Sequence, residues 1–390
     1  MTAGIWILLT VAAIVGHFAS ALFLLNRLHA QTWSYRLRQV LERLLAFAAI
    51  ALPVVVIANI WQLLLSMAAL SDWRGIVAAW LPLLAGYVVF CWCVVLLSIP
   101  LWLWPKLRYR VPDELVANDR RVVDLGIVSR RTVRGAFPRL CASLPGNEVF
   151  QLNVQTKRLQ LPRLPRELSG LKIAHLTDLH LTGKIGQEYY AEVVRLTNEL
   201  EPDLIVMTGD IAEKTKCLPW IKPLFTDLQA PFGKYFILGN HDFLLPKPGQ
   251  LREELRAAGF IDIAGRCDSI LVRDVPLLIA GNELPWHGPA PKVPAVEQTF
   301  RLLLAHTPDL FVWAAQQQFD LMVAGHNHGG QICLPLIGPL VSPSRHGVRY
   351  AAGLFREGPT LMHVGRGIGG EHLLRWNCPP ELALLVLESG

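Results

Sequence analysis

Three long apolar runs without a single charged side chain constrain this sequence before anything else does. They cover roughly residues 4–26, 45–70 and 75–104. Each exceeds the ~20 residues that a helix needs to cross a bilayer. Buried helices of a soluble domain normally keep a polar face, and these runs have none. A cleaved signal peptide does not fit the first run, which is too long and has no basic residue before it. Trp6, Trp73, Trp80, Trp102 and Trp104 lie near the run ends, where interfacial aromatics collect. The expectation is an all-α transmembrane region of three helices over residues 1–105.

The basic residues orient these helices. Arg27, Arg36, Arg38 and Arg43 lie between the first two runs. Lys106, Arg108 and Arg110 follow the third, and Arg120, Arg121, Arg130, Arg131, Arg134 and Arg139 come soon after. Positive loops stay in the cytoplasm, so loop 27–44 and the chain from 106 onward are expected inside. Loop 71–74 and the N-terminus are then outside. The expected location is the cell inner (cytoplasmic) membrane, multi-pass, with the remaining domain on the cytoplasmic side. The net charge of +6 therefore points to membrane lipids as a partner, and no nucleic-acid module accompanies it. His17, Asn59 and Gln62 fall within spans and are expected to hydrogen-bond between helices. The seven cysteines form no disulfide or zinc-ribbon spacing.

Past the membrane region the pattern changes. Residues 106–160 read as a juxtamembrane connector with some helix, ending in a strand over 148–160. From 161 to 390 short aliphatic strands alternate with amphipathic helices, which indicates an α/β core. Strands over 171–176, 204–207, 235–238, 302–305 and 321–324 run into TDLH, TGD, GNHD, His306 and GHNHGG. In such sheets, ligand-binding residues gather just past the strand C-termini.

The residue types in those loops suit metal ions. Asp178 and His180 alternate along an extended segment, as do His326 and His328. Carboxylate, amide oxygen and imidazole together suit first-row divalent ions, here Mn, Fe or Zn. Two such ions about 3.5–4 Å apart can hold a hydroxide and clamp a phosphoryl group. A mostly neutral donor set preserves the positive charge that stabilises the transition state.

The ordered series Asp178-Leu179-His180, Gly209-Asp210, Gly239-Asn240-His241-Asp242, His306 and Gly325-His326-Asn327-His328 resembles the calcineurin-like metallophosphoesterases. GHNHGGQ at 325–331 and VGRGIGGEHLLRWNCPPE at 364–381 resemble the bacterial membrane-anchored branch of that superfamily. The resemblance covers about residues 160–390. It implies a four-layer α/β sandwich with two divalent ions. One would be held by Asp178, His180, Asp210 and His328, the other by Asp210, Asn240, His306 and His326. Asp210 would bridge them, and His241 would stabilise or protonate the leaving group. Arg345, His346, Arg349 and Arg366 are candidates for binding substrate phosphate. The glycines at 365–370 read as a tight turn, not a nucleotide loop. Asp242 reads equally as a partner orienting a ligand histidine or as a turn cap, and Glu213 as a helix-start acid.

Three functions follow for test. One is hydrolysis of a phosphodiester or pyrophosphate in a lipid-linked substrate, such as UDP-2,3-diacylglucosamine or a phospholipid, by attack of metal-bound hydroxide on phosphorus. The second is a membrane-tethered phosphatase of soluble or protein substrates. The third is a non-catalytic metal-dependent scaffold, against which the complete ligand set and His241 argue.

Overall fold

The structure, a computed structural model, describes residues 3–31, 33, 35–68, 73–295 and 299–390, with backbone alone for 3–7, 35 and 55–84. It divides into two compact units, Met1–Arg110 and Val111–Gly390.

The first unit consists of helices α1 (Ala3–His29), α2 (Tyr35–Ala68) and α3 (Trp73–Arg108). Among the described residues two stretches, Leu8–His29 and Ala85–Arg108, are long and apolar enough to cross a membrane. Three such spans were expected. The middle one, 45–70, lies largely outside the described side chains, and loop 71–74 lies largely outside the described residues. His17 joins the helices as expected, pairing with the Tyr87 hydroxyl and, through Nε2, with the Ala49 carbonyl at 2.8 Å. The side chains of Asn59 and Gln62 lie outside the described ones. Lys106 and Arg108 each sit 3.9 Å from a ring centroid, of Trp102 and Trp104 respectively. These cation–π pairs end α3 with the amphipathic chemistry of a membrane interface.

The second unit opens with β1 (Leu115–Asp124), α4 (Gly126–Ser129), α5 (Ala136–Ser143) and β2 (Gln151–Leu161). It continues with β3 (Leu171–Leu176), α6 (Gln187–Glu199), β4 (Leu204–Thr208), α7 (Leu218–Phe225), β5 (Lys234–Ile237), α8 (Pro248–Ala257) and β6 (Phe260–Asp262). Then follow β7 (Cys267–Val272), β8 (Val275–Asn282), β9 (Phe300–Ala305), α9 (Phe311–Gln316) and β10 (Leu321–Ala324). The unit ends with the short β11 (Cys333–Leu334) and β12 (Gly338–Pro339), then β13 (Gly353–Glu357), β14 (Thr360–Val364) and β15 (Glu381–Ser389).

The strands form two mixed sheets, ordered β1-β2-β15-β3-β4-β5-β6 and β13-β14-β10-β9-β8-β7. Residues 106–160, expected as a connector, thus supply two strands of the larger sheet. β3 to β6 run parallel and are linked through α6, α7 and α8, the connection that parallel strands require. One apolar cluster, including Ile173, Val206, Ile237, Ile279, Leu304 and Val323, fills the space between the sheets. Tyr190, Val193, Ile221 and Leu251 pack the helices on the outer face of the larger sheet. Phe311 and Ala314 of α9 pack on the smaller one with Met322 and Met362. Burial on both faces explains why β4 (LIVMT) and β10 (LMVA) carry no polar alternation. Each such side chain contributes about 1.5–3 kcal/mol when fully buried.

Candidate metal centre

The parallel strands of both sheets end on one side, and their loops carry the predicted residues. Asp178 and His180 follow β3, Asp210 follows β4, Asn240 follows β5, His306 ends β9 and His326 and His328 follow β10. Backbone bonds continue past the strands. Asp178 N donates to Gly209 O at 3.0 Å, His180 N to Asp210 O at 2.9 Å and Gly325 N to His306 O at 2.9 Å. Ile368 N donates to Thr177 O at 3.0 Å, which stitches the 365–370 turn onto the same rim. A Cβ at Gly209 (φ +86) would lie 2.8 Å from His306 Nδ1 and collide with the Gly239 backbone, so only glycine fits.

Five of the predicted ligands hold left-handed backbone: Asp178 (φ 52), His180 (φ 48), Asp210 (φ 52), His326 (φ 70) and His328 (φ 50). For a residue with a Cβ this conformation costs roughly 1–3 kcal/mol and persists where the surrounding structure enforces it. Here the continued ladder bonds enforce it, and five turned backbones aim five side chains at one place.

Among the described residues three groups of donor atoms have all members within 4.8 Å of one another: beside one that joins His180 to Glu213 and His241, two consist of predicted ligands, Asp178, His180, Asp210 and His328, and Asp210, His306 and His326. Asn240 Oδ1 lies 3.1 Å from His306 Nε2, which places it with the second group. Asp210 belongs to both. Its Oδ2 is 3.7 Å from His180 Nε2 and 3.3 Å from His306 Nε2.

The hydrogen bonds around the rings assign their protons. A carbonyl or carboxylate only accepts. His306 Nδ1 therefore donates to Thr208 O at 2.6 Å, His326 Nε2 to Pro343 O at 2.9 Å and His180 Nδ1 to Glu213 Oε1 at 2.5 Å. The second nitrogen of each ring then faces inward. His326 Nδ1 faces His306 Nε2 at 3.1 Å, with Asn240 Oδ1 and Asp210 Oδ2 beside them. That is a set of acceptors without a donor, and a cation satisfies it. Burial opposes a second proton on His306, but the Asp210 carboxylate outweighs burial and lifts its pKa to about 9. His326 is driven well below the usual imidazole range by burial and by His306. The pair together demands positive charge. Asp178 is pushed up by burial and more strongly down by His328, so it stays ionised. The donor chemistry thus fits divalent metal ions.

Three further residues shape the centre. Glu213, expected as a helix-start acid, is buried, with Oε1 touching His180 and lying 3.3 Å from His241 Nδ1. The bridge between Leu181 and Ala212 keeps this segment extended, which turns the carboxylate toward the site. Asp242 accepts from Ile211 N at 2.8 Å, Ala212 N at 2.9 Å and Gly239 N at 2.8 Å. It clamps the loops carrying Asp210 and Asn240 and contacts no ligand ring. Arg375, which no motif singles out, is fully buried and donates to carbonyls of Arg366 at 2.7 Å and His328 at 3.3 Å, and to Gly369. The Trp286 ring lies 5.5 Å from that of His306 and 4.9 Å from that of His326.

His241 sits at the edge of the first group, its ring 5.0 Å from that of His180 and its backbone N–H donating to Asp210 Oδ1 at 2.8 Å. Burial lowers its pKa, but the Asp210 charge and Glu213 prevail and raise it to about 9. The expected phosphate-binding residues are less converged. Arg345 and His346 are exposed on the loop after Pro343, Arg345 donating from its backbone to Asp309 and His346 packing on Tyr350. Arg349 is exposed with its guanidinium 5.1 Å from the Tyr350 ring centroid. Arg366 is half-buried at the 365–370 turn, its Nε 4.0 Å from Glu381.

Known proteins show the same pattern. The calcineurin-like phosphoesterase family model matches residues 171–330. The metallophosphoesterase YkuE of Bacillus subtilis (strain 168) is 32% identical over 238 residues, 58% of this chain and 82% of its own. Phosphodiesterase YaeI of Escherichia coli (strain K12) is 32% identical over 223 residues, 55% of this chain and 82% of its own. The UDP-2,3-diacylglucosamine pyrophosphatase LpxG of Chlamydia trachomatis is 24% identical over 321 residues, 67% of this chain and 98% of its own.

Proposed function

This chain belongs to the calcineurin-like metallophosphoesterases, and from that premise we propose that it is a membrane-anchored two-metal hydrolase of a phosphodiester or pyrophosphate bond in a lipid-linked substrate. Metal-dependent phosphoester hydrolysis is the activity of the family. The observation that carries the two-metal reading is the sharing of Asp210 by two donor groups. Asp178, His180, Asp210 and His328 would hold one ion, and Asp210, Asn240, His306 and His326 the other; Mn, Fe or Zn suits this set. When bound, two such ions supply an activated water at neutral pH and positive charge for the phosphoryl oxygens.

The chain's own residues do the rest. His241, carrying a proton, donates it to the leaving oxygen. Glu213 fixes the His180 tautomer through Nδ1, so that Nε2 faces the site. Asp242 and Arg375 hold the loops still while charge moves. Arg345, His346, Arg349 and Arg366 offer positive charge for a substrate phosphate near the 343–349 loop and the 365–370 turn.

A lipid-linked substrate, either UDP-2,3-diacylglucosamine-like or a phospholipid, is supported by two observations. Among the described residues two stretches are long and apolar enough to cross a membrane, and LpxG is similar over most of its length. The flanking arginines favour the cytoplasmic face of the inner membrane. The test is a substrate screen on detergent-solubilised full chain with Mn, Fe or Zn, with Asp210→Asn as the blank. Turnover of a lipid-linked pyrophosphate or phospholipid above that of a soluble diester is expected. Efficient cleavage of soluble diesters or phosphoproteins alone would replace the lipid reading with that of a tethered phosphatase.

A further inference from the structure

Residues 126–146 contain no acid between Asp124 and Glu148, yet include Arg130, Arg131, Arg134 and Arg139. All four arginines are exposed. Exposed among them are large apolar side chains, Ile127 at 85%, Phe137 at 65% and Leu140 at 59%. A soluble surface seldom sets out aliphatic and aromatic groups this openly, and a cluster of them marks a contact surface.

The segment is not loose. Val133, Cys141 and Ala142 are buried beneath it. Arg134 N donates to Lys184 O at 2.8 Å, and Gly186 N donates to Thr132 Oγ1 at 3.1 Å. Asn147 Nδ2 donates to Cys141 O at 2.7 Å and to Leu373 O at 2.8 Å, while its Oδ1 accepts from Arg375 N at 2.9 Å. The surface is therefore a fixed platform, pinned to the loop whose Arg375 holds the metal-site carbonyls.

We propose that residues 126–146 are a seat for an anionic lipid bilayer surface, with Ile127, Phe137 and Leu140 entering the headgroup boundary and the arginines binding lipid phosphates. Apolar groups interleaved with arginines over two short helices and the turn between them are the chemistry of an interfacial contact. Nucleic acid would use the arginines and leave the aliphatic groups without a role. Only residues 109–114 separate α3 from β1. The same chain carries, among the described residues, two stretches long and apolar enough to cross a bilayer. This inference holds whatever bond the metal centre cleaves.

The experiment compares amide hydrogen exchange of the full chain in nanodiscs of phosphatidylcholine and in nanodiscs that also contain phosphatidylglycerol. Exchange across 126–146 is expected to slow roughly tenfold in the anionic discs, the scale of one or two arginines meeting such a surface. Arg130→Gln with Arg131→Gln and Arg134→Gln, or Phe137→Ser with Leu140→Ser, should abolish that slowing. Exchange in β4 and β5, and hydrolysis of a soluble diester, should stay unchanged. Should a variant misfold, β4 and β5 would reveal it, and the comparison of disc compositions for the unaltered chain still decides. Equal exchange in both discs overturns the proposal. So does protection that tracks protein concentration, or that appears with duplex oligonucleotide in neutral discs but not with anionic lipid.

Discussion

His241 carries a raised pKa, about 9, because Asp210 and Glu213 overcome the effect of burial. Its proton is present at neutral pH and lost as pH rises through that value. Replacing it with Gln should lower kcat roughly 10²–10⁴-fold for an alkyl ester, and far less for a nitrophenyl ester whose leaving group needs no proton. A uniform loss across leaving groups would argue for a binding role. His363 shows the opposite shift. Burial first, and then Lys157, hold it at about 4. Its folded pKa lies below the unfolded value near 6.5, so its contribution to stability is complete above 6.5 and lost as pH falls through 4. That difference amounts to about 3 kcal/mol. In His363→Gln, thermal unfolding in detergent should be flatter between those pH values than in the unaltered chain. His328 tests the strained backbone. His328→Gly and His328→Ala should both lose metal by elemental analysis, but the glycine variant should be the more stable by about 1 kcal/mol. Equal stabilities would show that the left-handed turn stores no strain.

At the scale of elements, the loop held by Arg375 is the most exposed to failure. A lysine there offers one ammonium where a planar fork now serves several carbonyls, and each carbonyl left without a donor costs about 1–3 kcal/mol. Arg375→Lys should lower the unfolding temperature and weaken metal retention together; a change in only one would separate the turn from the site. This element also marks where the sequence stops being readable. β3, β4 and β10 are aliphatic runs followed by motif loops, so strand, loop and ligands could be read together. β1 (LVANDRRVVD) could not, because it is an edge strand with one mostly exposed face, and its charges mimic a connector. Glu213 and Arg375 act through carboxylate and guanidinium geometry fixed only by the fold. Glu213 needs the extended segment beside Leu181 to face His180, and Arg375 needs carbonyls from residues 328, 366 and 369 brought together. The motifs point to the seven proposed donors because ligands must be particular residue types, whereas the groups that hold them only need to be nearby in space.

For the whole molecule, the proposed function gives the two units separate tasks. Removing residues 1–110 should leave cleavage of a soluble diester with Mn nearly unchanged, since the second unit has its own sheets and cores. Cleavage of a substrate embedded in vesicles should fall steeply, because the lost anchor supplied effective concentration. Equal retention of both activities would mean that the helices contribute nothing to reaching an embedded substrate. The order of strands carries a different consequence. β15, residues 381–389, pairs with β2 on one side and β3 on the other. The larger sheet therefore stays open between β2 and β3 until residues 381–389 have left the ribosome. While translation proceeds, β1 and β2 wait beside a gap with open edges, and the motif loops past β3 and β4 have no finished rim to sit on. The larger sheet thus closes only once β15 is available, and a chain cut just short of β15 would carry every proposed ligand in its sequence and no complete sheet to place them on.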